Sequence, residues 1–270
     1  MSQTFFKSFS KVLFAIIAIT FFPSLAFAGP LDVLPSGQWY MFPNSNVSAI
    51  DPCPVFPCSY SGVGGQAEAL TAWSGGAYDT TRDRLIVWGG GHTDYGGNEI
   101  YTFDINTGTW TMAIGPTITT TADLAQNNGS DYYHDGRPSS RHTANALAYA
   151  PNVDLFFSFN SAATYGNPPR AGFEVDSFNF NTATWKTDWI NSPGNLYGPN
   201  STIAAYHPGT GKIWYHASLN SPLAVFDPAA AGGVGAWTTY ASQYLEIEAA
   251  VVLDPKRNRF IAMGGYGGAR

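Results

Sequence analysis

The chain reads as an all-β protein built from tandem four-stranded antiparallel units, and three observations predict it. Short stretches alternate polar and apolar side chains with period two. Glycine and Asn/Asp clusters break them every few residues, and the same unit recurs along the chain. The clearest copy spans 85–110. Its apolar run Leu85-Ile86-Val87-Trp88 ends in Gly89-Gly90-Gly91, and an alternating run follows at 99–103. The turn Asp104-Ile105-Asn106-Thr107-Gly108 then leads to Trp110.

Composition points the same way. The 270 residues include 29 Gly and 18 Pro, with 15% aromatic and only 12% charged residues. That is about half the usual share of charge. Such usage suits short strands joined by many turns, in a chain long enough for a sizeable core. Net charge is −6 and no basic tract exceeds Lys256-Arg257. Nucleic acid and anionic membrane surfaces are therefore poor partners.

Residues 1–28 read as a signal peptide. Lys7 and Lys11 precede an uncharged apolar stretch at 12–22, and Pro23 and the small-residue pattern Ala26-Phe27-Ala28 follow. A retained anchor helix is the alternative. Cleavage makes the protein secreted or periplasmic, with no membrane association afterwards. An oxidising compartment favours pairing Cys53 with Cys58, although the two prolines between them could equally hold the sulfurs apart. A metal site is not expected there, since no second cysteine pair or nearby histidine exists. Residues 29–66, rich in proline, read as an irregular lead that packs on the first unit.

From residue 67 the copies can be aligned, at about 67–112, 141–187, 200–240 and, incomplete, 246–270. Each full copy offers four strands and closes on a tryptophan that reads as core: Trp110, Trp185 or Trp237. About 50 residues separate the last two, and 113–140 is inserted between the first two. The Gly89-Gly90 pair, Tyr101 and Trp110 together resemble the kelch motif of the galactose oxidase/kelch superfamily. The second copy has Ser158-Phe159-Asn160 in place of the glycines, and the third also lacks them. The fourth has Gly264-Gly265 but no tryptophan. The resemblance covers 67–270 and implies a kelch-like β-propeller of about three and a half blades, an incomplete ring. The remaining blades are expected in a longer parent chain or, alternatively, in a second chain.

An up-and-down path assigns the polar loops to faces. The loop between strands two and three shares a face with the connection into strand one. His92, Asp94, Tyr95, Asn98, Arg141, His142, Arg170 and His216 fall on that face, with His134 and Arg137 of the insertion. His207 falls on the other as a turn residue. A concave mouth lined by aromatic and a few polar groups is the default binding site, although Asp, Asn and His after a glycine turn also serve local backbone hydrogen bonds.

Two functions compete. One is a binding module for a glycan or protein at the face carrying His92 and His142, with Asp94, Asn98, Arg170 and His216 as ligand-binding residues. The alternative follows from similarity to propeller polysaccharide lyases. It makes His92 or His142 the base, Tyr95 the acid and Arg141 a carboxylate clamp, because removing a proton beside a carboxylate needs a base near neutrality and a cation. A galactose oxidase-like copper site would need a cysteine–tyrosine crosslink, yet both cysteines sit in the lead. No cofactor is expected.

Overall fold

The computed structural model describes residues 29–43, 45–53, 62, 64–91, 94–124, 131–159, 175–190, 193, 202–217, 220–245 and 249–263. The expected signal peptide, Cys58, His92 and Arg170 lie outside them, as does the second glycine pair.

The first sheet comprises β1 (Gly76–Asp79), β2 (Arg84–Val87), β3 (Ile100–Asp104) and β4 (Thr109–Ile114). β5 (Leu147–Ala150), β6 (Leu155–Phe159), β7 (Val175–Asn179) and β8 (Thr184–Lys186) form the second. The third holds β9 (Ile203–His207), β10 (Lys212–His216), β11 (Pro222–Asp227) and β12 (Ala236–Ser242). β13 (Ala250–Asp254) pairs with β14 (Arg259–Met263) in a two-stranded sheet. Within every sheet each strand pairs antiparallel with its neighbour in sequence. Across sheets, β1 packs beside β5, β5 beside β9 and β9 beside β13. First strands are therefore innermost and the sheets radiate from them. This is a partial β-propeller.

Local chemistry sets the repeat. Between the first and second strands of all four sheets runs a turn of equal length, ending on Asp83, Asp154, Gly211 or Asn258 with φ between +48° and +69°. Asp, Asn and Gly tolerate that left-handed conformation better than other residues. These turns also join one sheet to the next. Arg82 forms a two-pronged pair with Asp154 at 2.7 Å per contact, Asn152 Nδ2 donates to the Gly211 carbonyl, and His207 Nε2 lies 2.7 Å from Asn258 Oδ1. His207 thus belongs to the turn layer. Tyr149 donates to Asp154 as well, and burial, then that bond, pushes its hydroxyl up to about 12.

The third-to-fourth turns repeat just as closely. Asp104 Oδ1 accepts from the amides of Asn106 and Thr107, and Asn179 Oδ1 from those of Asn181 and Thr182. Gly108 takes the left-handed position in one, but Ala183 occupies it in the other at φ +53°. Ala183→Gly should therefore stabilise the fold by roughly 0.5–1 kcal/mol, read as a raised urea midpoint with unchanged slope. A lowered midpoint would contradict the assignment.

Alternation along each strand feeds two cores. Phe156 joins Ile86, Trp88, Ile100 and Phe178 between the first and second sheets, while its neighbour Phe157 joins Phe226, Ile213 and Trp189 between the second and third. The closing tryptophans hold equivalent places, for Phe103, Phe178 and Phe226 on the third strands stand opposite Trp110, Trp185 and Trp237. The lead packs on the face of the first sheet that carries Val87 and Tyr101. Phe42 packs edge-on against Phe103, the Ser45 carbonyl accepts from Trp110 Nε1, and Val47 lies in one cluster with Val87 and Tyr101.

Candidate functional site on the loop face

Three glycines allow the second sheet to approach the first closely. A Cβ on Gly89 would stand 2.9 Å from the Arg141 carbonyl oxygen, and one on Gly90 2.9 Å from Ser140 Oγ. The amides of Gly90 and Gly91 both point at the Arg141 carbonyl, each at 3.2 Å. The connection before β1 is fastened to the one before β5 in the same way. The Ala144 amide donates to the Trp73 carbonyl at 2.6 Å, and the Gly75 amide to Thr143 Oγ1.

That seam brings His142 and Asp94 together, with Nε2 and Oδ2 3.6 Å apart and both side chains partly open to solvent. Trp73 lies over the imidazole with ring centres 4.7 Å apart. It keeps 55% of its surface exposed and has φ +48°. A bulky side chain in the left-handed region is strained, and such strain collects where a ligand is clamped. His92 lies outside the described residues, but its neighbour Gly91 stands against His142, where an added Cβ would meet Nε2 at 3.1 Å. Sequence reading missed Trp73. A signal existed, because the tryptophan precedes β1 on the same type of connection that carries His142 into β5, and it is not a blade-closing residue.

The other expected residues are placed differently. Arg141 is not a clamp at the mouth. It is 1% exposed, with Nη1 3.7 Å from a buried Asp176 carboxylate and the guanidinium donating to the carbonyls of Ser139 and Asp131. The face of Trp88 lies 5.5 Å away. A guanidinium with so many acceptors inside the fold is a core residue. Tyr95 is likewise no rim acid: it is fully buried and donates to Glu99 Oε1 at 2.7 Å. Asn98 has every amide group in use. Its Oδ1 accepts from the Thr117 amide, and its Nδ2 donates to Thr117 Oγ1 and the Pro138 carbonyl. These bonds, with Tyr133 donating to the Gly96 carbonyl, hold Thr117, Tyr133 and Pro138 of the insertion down on the loop face.

Glu99 is the second residue the sequence did not single out. It is 2% exposed, and Tyr95 and Tyr101 both donate to Oε1, while Oε2 has no hydrogen-bond partner. Gln66 Nε2 bridges the Tyr101 hydroxyl and the Val47 carbonyl, tying this cluster to the lead. Burial pushes the Glu99 carboxyl up, against the tyrosine hydrogen bonds.

His216 stands elsewhere, 2% exposed at the end of β10, with Nε2 3.0 Å from the Gln243 carbonyl oxygen. Desolvation lowers its pKa. Among the described residues no group of His, Cys, Asp and Glu could hold a metal ion, and no helix is long and apolar enough to cross a membrane.

No protein family and no curated protein matches the chain. Among solved structures, 70% of the chain is similar to part of a crystallised nidogen/laminin complex, at 10% identity and a TM-score of 0.42. The match covers 55% of that chain, so the present sequence spans about half the length of the protein it matches.

Proposed function

We propose that the protein is a recognition module that binds a neutral glycan on the rim where Trp73 overlies His142 beside Asp94. The half-exposed, strained indole carries this reading. A fixed aromatic plate offers apolar area at small entropic cost to the C–H face of a sugar ring, and a neighbouring carboxylate and imidazole can exchange hydrogen bonds with its hydroxyls. Net charge −6 opposes polyanionic ligands. The lyase alternative loses its assigned cation, since Arg141 is committed to Asp176, and Arg137 is committed to Asp135 and the Gly115 carbonyl.

Affinity electrophoresis against neutral and uronate-rich polysaccharides tests the proposal. At least one neutral polymer should retard the protein, with Trp73→Ala weakening the retention about tenfold or more and leaving the polymer intact. Equal retention of Trp73→Ala and wild type would refute the site. Release of unsaturated uronates would revive the lyase, and retention by none of the polymers would favour a protein ligand.

Three finer features complete the proposal. The blades are of kelch type, supported by the close approach that Gly89 and Gly90 permit. Residues 1–28 direct export and are removed, and Cys53 pairs with Cys58, supported by the lysines, apolar run and small residues of that leader. One intact-mass measurement on exported protein checks the last two, which require a chain starting at Gly29 and a mass that rises on reduction.

A further inference from the structure

The two end sheets leave open positions that the repeat buries elsewhere. Counted back from the left-handed turn residues Asp83 and Asp154, Tyr78 on β1 matches Tyr149 on β5. Tyr149 is 4% exposed and donates to Asp154 Oδ1 of its own sheet and to Thr81 Oγ1 of the sheet before. Tyr78 makes the same local pair, donating to Asp83 Oδ1 at 3.4 Å, yet it is 41% exposed and Asp83 is exposed beside it. Its neighbour Ala77 joins the core shared with the second sheet, so alternation turns Tyr78 to the opposite face. The lead covers Val87 on that face and leaves Tyr78 open.

The other end carries the complement. Asp254, Arg257 and Arg259 repeat the spacing of Asp79, Arg82 and Arg84, and in each set both arginines meet the aspartate. Arg82 continues across to Asp154 of the next sheet. Arg257 is largely exposed and, among the described residues, pairs with Asp254 alone. On β13, Val252 matches Ala77 and Ala148, which are buried between sheets, but is itself exposed. Its neighbour Val251 lines a cavity against the third sheet, so Val252 faces away from that sheet, together with its cross-strand partner Ile261.

We infer that the β13–β14 face docks on the β1 face of a second copy of this chain, with Arg257 gripping Asp83 of the partner subunit as Arg82 grips Asp154. Val252 and Ile261 then pack beside Tyr78 of the partner subunit. Both halves of the contact, matched in charge and in place along the strands, lie on one chain. A surface complementary to another surface of the same molecule joins copies head to tail, and closes into a ring when the rotation allows. Each copy brings four sheets, so the pair sets eight around one axis, inside the range of about four to eight that propellers use.

Sedimentation velocity on the whole protein over a concentration series reads the assembly. Wild type should reach twice the single-chain mass and stop there. Arg257→Glu and Asp83→Lys should each raise the dissociation constant by about tenfold or more, since each sets like charges together at both contacts. Mixed, the two variants should pair again near wild-type strength, because one contact is then native and the other has both charges reversed. Recovery on mixing also shows that each variant is folded. A monomer throughout, a mass that keeps rising with concentration, or a mixture no better paired than its parts would each overturn the inference. None of these readings involves Trp73, so the rim can fail as a glycan site while the pair stands.

Discussion

Arg141→Ala should destabilise the protein by about 3–5 kcal/mol, because it strands the Asp176 carboxylate in the core without its cation. Asp176 also accepts from Tyr132, and Arg141 spans the Ser139 and Asp131 carbonyls, so the guanidinium joins the second sheet to the inserted segment. Urea denaturation of three proteins reads the effect. The single variant should show the full loss. Adding Asp176→Asn should recover part of it, since the uncompensated charge is then gone. A clamp at the mouth behaves oppositely: Arg141→Ala would leave the urea midpoint unchanged and weaken ligand retention. That outcome would return Arg141 to the rim.

Glu99 governs the second large effect, on the pH dependence of stability. Its folded pKa lies above the unfolded value because burial disfavours the charged form. The protonated carboxyl is thus the form the fold prefers. Its contribution is complete below the ordinary glutamate range, near pH 4.3, and is lost as pH rises toward and through the folded value. Glu99→Gln cannot ionise and should flatten this decline, making the variant more stable than wild type at mildly alkaline pH but not at pH 4. Thermal or urea midpoints across pH 4–9 check it. Parallel pH profiles for the two proteins would show that Glu99 does not carry the dependence. Asp154 acts on the acid side. Hydrogen bonds from Arg82 hold its carboxyl well below the usual range, so its contribution is present above the unfolded value and lost as pH falls. Stability should therefore peak between these two limbs.

The location of Glu99 gives that decline a place in the molecule. Through Tyr101 and Gln66 the cluster reaches the Val47 carbonyl of the lead. Ionising Glu99 should therefore act first on the packing of the lead against the first sheet, because the cores between sheets contain no member of this cluster.

Much of the fold was legible from residue order. Strands such as Leu155–Phe159 and Pro222–Asp227 declare themselves by apolar runs between Asp/Asn/Gly turns, and the three tryptophans mark one position per blade. The face assignment that placed Asp94 and His142 on a common rim needed only the up-and-down path. The further step, from loop face to exposed site, was not legible. Asn98 and Tyr95 follow a glycine run just as Asp94 does, yet both are buried, because Thr117 and Pro138 of the insertion bond to one and Glu99 waits beneath the other. Arg141 and His142 are adjacent in the chain but point to opposite fates, one into the core and one to the rim.

Strand order, turn positions and the equivalence of Trp110, Trp185 and Trp237 follow from properties each residue carries locally: side-chain alternation, tolerance of positive φ, and apolar character. The sequence alone determined those. Which polar groups are open to a ligand was decided only by the tertiary structure, because a side chain's exposure depends on what a distant segment lays against it. Asp176 and Thr117 are far from Arg141 and Asn98 in the chain, and no local pattern announces that they meet.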